Sequence, residues 1–151
     1  MEICVIKSPI GNLQLKAQDN CIVAIECTNK KLSSIDNPIF KLTKKEIDEY
    51  FKGKRKEFSF PYSITGTEFQ KIVYKQLIKV PYGTTISYQQ LAQRIQNPKA
   101  SRAVGGAVHR NPLLILVPCH RVIGKDGSLV GFAGGLNKKR FLLNVENKNE
   151  E

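Results

Sequence analysis

The sequence has no tryptophan, one methionine, and two histidines, His109 and His120, both in its second half. Its four cysteines, Cys4, Cys21, Cys27 and Cys119, form no CxxC pair, and the histidines lie far from the first three. That spacing gives a zinc site poor support. A disulfide framework is not expected without a secretory context, although one pair among Cys4, Cys21 and Cys27 could bond in an oxidising or very hot cell. By default these three read as small buried hydrophobes. Also missing is any apolar run near the roughly 20 residues that span a bilayer. The start, Met1-Glu2-Ile3-Cys4-Val5, lacks the basic and then apolar pattern of a signal peptide. These absences predict a globular protein of the cytoplasm with no membrane association.

Acidic residues are scarce in one half. Residues 1–60 carry 11 basic and 8 acidic side chains, residues 61–151 carry 13 and 5, so most of the formal charge of +11 belongs to the second half. A field of that sign gathers polyanions and suits a nucleic-acid binder, while a lysine-rich solvated surface is the plainer alternative. A chain of 151 residues can bury one core or two small domains. The patterning favours two: an α+β protein with a small mixed β-sheet domain and a short helix in residues 1–60, then a mostly helical domain in 61–151 containing a helix-turn-helix.

The first half opens as a hairpin. Cys4 to Lys7, alternating Leu13 to Ala17, and Cys21 to Cys27 read as strands, joined by turns at Ser8-Pro9-Ile10-Gly11-Asn12 and Asp19-Asn20. Thr43-Lys44-Lys45-Glu46 has capping-box spacing, which predicts a short helix with Ile47, Tyr50 and Phe51 on one side and Gly53 as its stop. The Pro, Ser, Thr and Gly content of Phe58 to Gly66 suggests a linker.

The second half changes period. Thr67-Glu68-Phe69-Gln70 is another capping box, and Phe69, Ile72, Val73, Leu77 and Val80 mark the apolar face of a helix ended by Pro81-Tyr82-Gly83. Ser87-Tyr88-Gln89-Gln90 opens the next helix, with Leu91, Ala92 and Ile95 inward, and Asn97-Pro98 breaks it. The stretch from Ala100 to Val108 reads as a small-residue helix. Two adjacent helices with a short turn suit a DNA binder or an ordinary helical hairpin. Gly105 and Gly106 cost that helix about 1 kcal/mol each relative to alanine, so close backbone approach is their expected gain. A face of Ser101, Ala103 and Gly105 carrying one long cation, Arg102, can press against a DNA groove or pack against another helix. Leu113 to Val117, bounded by prolines, reads as a buried extended segment. A glycine-rich loop follows, from Gly124 to Gly135. A last helix opens at Asn137, with Leu136 and Phe141 at staple spacing and Phe141, Leu142 and Val145 inward. Asn147 to Glu151 are expected to fray.

Pro118-Cys119-His120-Arg121 places a thiol, an imidazole and a guanidinium where the chain leaves its core. A thiol is a strong nucleophile only as thiolate, which a histidine or positive charge favours. Neighbouring side chains of an extended segment point apart, so a water bridging Cys119 and His120 is more plausible than direct contact. Glu146 is one of the few acids able to orient the imidazole. Alone, a Cys-His dipeptide is weak evidence for catalysis.

Val117-Pro118-Cys119-His120-Arg121-Val122-Ile123 resembles the specific signature of the O6-alkylguanine-DNA alkyltransferases. The similarity runs from Phe69 to Glu146 through Ile86 to Ala92, Arg102 to Ala107, Asn111-Pro112 and Gly134-Gly135-Leu136, with a looser match at Ser8-Pro9-Ile10-Gly11. The resemblance implies a monomer that repairs double-stranded DNA containing O6-alkylguanine, and in some cases O4-alkylthymine, without cofactor or metal. Cys119 would be the acceptor, His120 the base acting through water, and Glu146 its polarising partner. Tyr88 would help neutralise the departing guanine and crowd the flipped nucleotide's phosphate. Asn111 would brace the active-site turn, and Arg102 would fill the gap left by the flipped base. Gln89 and Asn97 would touch the DNA backbone. The Cys119 and Val122 carbonyls would accept from the guanine amine. Phe132-Ala133 stands where many relatives have Tyr-Ser, which keeps a stacking surface and removes two hydroxyls. The Ala133 N–H could still serve guanine O6. The competing readings are a non-catalytic helix-turn-helix protein that binds alkylated bases and, with less support, a cysteine hydrolase.

Overall fold

The structure, a computed structural model, describes residues 1–132 and 134–148. The chain divides into two compact units, Met1–Ile64 and Thr65–Glu151, and the fold is α+β.

In the first unit β1 (Glu2–Ile6), β2 (Leu13–Gln18) and β3 (Cys21–Cys27) form an antiparallel sheet in that order. Asp19 and Asn20 both take positive φ, 52° and 61°, as a two-residue hairpin turn requires. Leu13, Leu15 and Ala17 are buried on alternate positions of β2. Parallel pairing, the mixed character expected of this sheet, is limited to an isolated bridge between Ile22 and Tyr62.

α1 (Pro38–Phe51) is longer than the sequence spacing predicts and begins earlier. Asn37 caps it, its side chain accepting from the Ile39 N–H at 3.0 Å, and Pro38 supplies the preset φ of a first turn. Thr43 lies inside the helix, its hydroxyl donating to the Ile39 carbonyl at 2.8 Å. Glu46 is buried and accepts from the N–H groups of Ser59 at 2.7 Å and Phe60 at 3.3 Å, and from the Ser59 hydroxyl. The apparent capping box is thus a long-range tie. It also overturns the linker reading at its start: Phe60 is buried, and Ile22 exchanges backbone bonds of 2.9 Å with Pro61 and Ser63.

The second unit opens on α2 (Glu68–Ile78), where both bonds of the Thr67/Gln70 capping box form, at 3.1 and 3.0 Å. Gly66 precedes it at φ 125°, where a Cβ would sit 2.6 Å from Gln70 Oε1. The inward face is Val73, Tyr74 and Leu77, whereas Ile72, expected inside, is exposed. Tyr74 can be buried because its hydroxyl donates to the Ala107 carbonyl at 2.7 Å. A two-residue strand, β4 (Ile86–Ser87), leads into α3 (Tyr88–Arg94), capped by Ser87 and Gln90. Gln96 at φ 61° and a 3.0 Å bond from the Asn97 N–H to the Ala92 carbonyl end it. α4 (Ser101–His109) completes the helix-turn-helix.

β5 (Val122–Ile123) pairs in parallel with β4. The last helix, α5 (Leu136–Lys148), starts from Gly135, whose carbonyl accepts from the Lys138 and Lys139 N–H groups at 3.2 Å, and not from Asn137. Leu136 and Phe141 are exposed, 43% and 42%, so neither the staple nor an inward Phe141 forms. The buried face is Lys139, Leu142 and Glu146. Asn147 and Lys148 are helical where fraying was expected, and residues 149–151 lie outside the described residues. Among the described residues no helix is long and apolar enough to cross a membrane.

Candidate active site

The approach to Cys119 is a compact turn, not the extended segment its sequence suggests. The Leu116 N–H bonds the Leu114 carbonyl at 2.8 Å and the Val117 N–H bonds that of Leu113 at 2.9 Å. Ile115 sits at φ 74°, a conformation that costs a β-branched residue of order 1–2 kcal/mol. Asn111 holds the turn from within. Its side-chain oxygen accepts from the Leu113 N–H at 2.9 Å, and its amide donates to the Val117 carbonyl at 2.7 Å.

Cys119–Arg121 then forms a single 3-10 turn, and all three side chains are buried. Successive side chains in such a turn diverge by about 120°, less than in a strand. The separation argued from an extended Cys119-His120 pair is therefore reduced. His120 and Arg121 both reach Glu146 on α5. His120 Nε2 lies 2.5 Å from Glu146 Oε2, and Arg121 donates to both carboxylate oxygens, at 2.8 Å from Nε and 3.0 Å from Nη2. The Gly83 N–H supplies a further bond at 3.1 Å. Arg121 Nη1 also donates to the Val80 carbonyl at 2.6 Å, and its guanidinium lies 5.7 Å from the Tyr82 ring centroid. The turn that ends α2 is thus a wall of the site.

These contacts fix the charge states. Burial alone would raise the Glu146 carboxyl, but hydrogen bonds and charge from His120 and Arg121 hold it well below the usual carboxylate range. Burial lowers the His120 pKa, and the Arg121 and Lys139 charges add to that, against the opposing pull of Glu146. These directions favour an anionic Glu146 and a neutral imidazole near neutral pH.

Tyr88, the first residue of α3, donates its hydroxyl to the Val130 carbonyl at 3.0 Å. Its pKa is raised by burial and then by the charge of Cys119. The ring lies over Gly105, where an added Cβ would sit 3.7 Å from it, an ordinary contact. Packing against Tyr88 therefore does not itself demand glycine there. Phe132 is buried, while Ala133 lies outside the described residues. The Val122 carbonyl accepts from Lys139 Nζ at 2.5 Å.

The fold brings Cys119, His120 and Glu146 into one buried group, with Asn111 beneath their turn and Tyr88 coupled to Cys119 by charge. Arg102, Ala103, Gln89 and Asn97 are exposed on the helix-turn-helix, and Ser101 and Gly105 are half-buried. The carbonyl contacts of Lys139, the Gly83 N–H bond to Glu146 and the Arg121 fork on that carboxylate are not foreseeable from the motifs. The only signal for Lys139 was its position on the same helical face as Leu142 and Glu146.

Both units of the chain are similar to known proteins. A family described as 6-O-methylguanine DNA methyltransferase, DNA binding domain, matches residues 68–148, and the ribonuclease-like domain of the same description matches residues 3–64. The methylated-DNA–protein-cysteine methyltransferase of Methanosarcina mazei is 43% identical over 152 residues, 96% of each chain. The Haemophilus influenzae protein of that name is 42% identical over 147 residues, 92% of this chain and 82% of its own. The crystal structure of Mycobacterium tuberculosis OGT in complex with DNA matches with a TM-score of 0.91 and 38% identity, over 99% of this chain and 94% of that one. The chain belongs to the family of methylated-DNA–protein-cysteine methyltransferases.

Proposed function

We propose that this protein repairs double-stranded DNA by moving the alkyl group of O6-alkylguanine onto Cys119, once per molecule. The observation that carries the assignment of residues is the buried His120–Glu146 contact at 2.5 Å, directly after Cys119 in the 3-10 turn. With Nε2 committed to Glu146, Nδ1 takes the thiol proton through a water. The thiolate sulfur attacks the alkyl carbon, the S–C bond forms, and the C–O6 bond breaks with its electron pair leaving on guanine. Tyr88 supplies a hydroxyl that burial keeps protonated, and so can neutralise the departing base. The resulting thioether is stable, so no second turnover follows.

A nucleophile this deeply buried cannot reach a stacked base, so the nucleotide must be flipped, at a cost of a few kcal/mol. Arg102 on the exposed side of α4 fills the gap, and Ser101, Ala103 and Gly105 allow the helix to approach the groove. Gln89 and Asn97 contact the backbone. The carbonyls of Cys119 and Val122 already accept bonds from the Val122 N–H and Lys139. Each oxygen keeps a second lone pair for the guanine amine. The glycine-rich loop, with Phe132 as its stacking surface, covers the base. In this reading residues 1–60 are a structural domain, residues 61–151 carry DNA binding and transfer, and the protein works as a cytoplasmic monomer.

The test is a mass increase of one alkyl group on Cys119 after challenge with duplex DNA containing O6-methylguanine. A Cys119→Ala variant should bind the DNA and gain no mass. If the wild type binds and gains none, the non-catalytic reading stands instead.

A further inference from the structure

Lys139 is fully buried on α5, yet among the described residues no carboxylate forms an ion pair with it. Its ammonium instead meets three backbone carbonyls: Val122 at 2.5 Å, Val130 at 2.9 Å and Gly131 at 3.2 Å. An ammonium has three N–H donors, so all are used. The three acceptors come from two different parts of the site. Val122 follows the Cys119 turn, and Val130 and Gly131 belong to the glycine-rich loop before α5. Gly131 takes φ 59° there. A buried cation is costly to desolvate, and here three carbonyl acceptors, with no carboxylate among the described residues, offset that cost.

The Val130 carbonyl has a second donor, the Tyr88 hydroxyl at 3.0 Å. If Tyr88 serves the departing guanine, it must give that bond up. Lys139 is the contact that remains.

We propose that Lys139 is a positioning residue for transfer: it ties the Val130–Gly131 segment to the Cys119 turn through Val122, so that Tyr88 can exchange its Val130 bond for the substrate without releasing the loop. The proposal rests on the reading of Cys119 as acceptor. Its electrostatic side points the same way. Burial lowers the Lys139 pKa while the charge of Cys119 opposes that shift, and the Lys139 charge in turn favours the neutral form of His120.

The experiment compares wild type, Lys139→Met and Tyr88→Phe by hydrogen exchange and by single-turnover transfer from O6-benzylguanine. Lys139→Met should speed exchange in the loop, residues 124–132, about tenfold or more, leave the protected amides of α2 and α4 near wild type, and slow transfer at least about tenfold. Tyr88→Phe should slow transfer while loop exchange stays within about threefold of wild type. Unchanged loop exchange in Lys139→Met, or exchange raised equally throughout the unit, would overturn the proposal. So would a loop opened by Tyr88→Phe, an outcome that remains readable if Lys139→Met does not fold. Absence of any Cys119 adduct in the wild type would instead defeat the proposed function, and leaves the loop measurement to decide the role of Lys139 by itself.

Discussion

Arg121 grips Glu146 with two hydrogen bonds, at 2.8 and 3.0 Å, on the same carboxylate that His120 meets at 2.5 Å. The carboxylate that orients the imidazole is therefore itself oriented, by a guanidinium one residue further along the chain.

Arg121→Met should cost about 3–5 kcal/mol of stability, because it leaves a buried carboxylate without its permanent counter-charge. Chemical denaturation of the two proteins measures this. A cost below about 1 kcal/mol would mean that Glu146 is not held by Arg121.

The pH dependence has a definite sign. The folded His120 pKa lies below 6.5 because of burial. An unfolded imidazole therefore takes up its proton first as pH falls, so this contribution to stability is complete above about pH 6.5 and is lost below it. Glu146, with its folded pKa depressed, adds a loss in the same direction once pH falls below about 4.5, the ordinary value for its unfolded form. Transfer should show no loss from imidazole protonation between about pH 7.5 and 6.5. A protonation midpoint at or above 6.5 in the rate, or in the His120 NMR titration, would contradict a neutral base set by burial.

Asn111→Ala should destabilise by about 2–3 kcal/mol, since it strips the Leu113 N–H and the Val117 carbonyl of buried partners at once. The turn holding Ile115 at φ 74° depends on those bonds, so transfer should fall with stability. Thermal unfolding and transfer rate together check it; a stable variant with full activity would show that the turn holds itself.

Arg102→Ala should slow transfer from duplex DNA by about tenfold or more and leave transfer from free O6-benzylguanine near wild type, because only the duplex requires a base to be flipped. Equal losses on both substrates would contradict the assignment of Arg102.

Much of the architecture was legible because it is local. The Thr67 and Ser87 capping boxes and the alternation of β2 depend on neighbours a few positions away. Thr43 and Glu46 show the limit. Their spacing is that of a cap, but Glu46 is spent on Ser59 and Phe60, and the true cap is Asn37. Cys119, His120 and Glu146 could be named from a motif and a scarcity of acids. Lys139 could not, since its partners are backbone carbonyls, which leave no mark on residue type. The extended reading of Leu113 to Val117 failed for a related reason: the fold of that segment is imposed by the Asn111 side chain, against the β preference of Ile115.

The central claim is tested most directly by intact-protein and peptide mass spectrometry after one equivalent of duplex DNA carrying O6-methylguanine. The account predicts a single methyl group on the peptide containing Cys119, and none in Cys119→Ala. Methylation of Cys4, Cys21 or Cys27 instead, or bound DNA with no gain of mass, would contradict it.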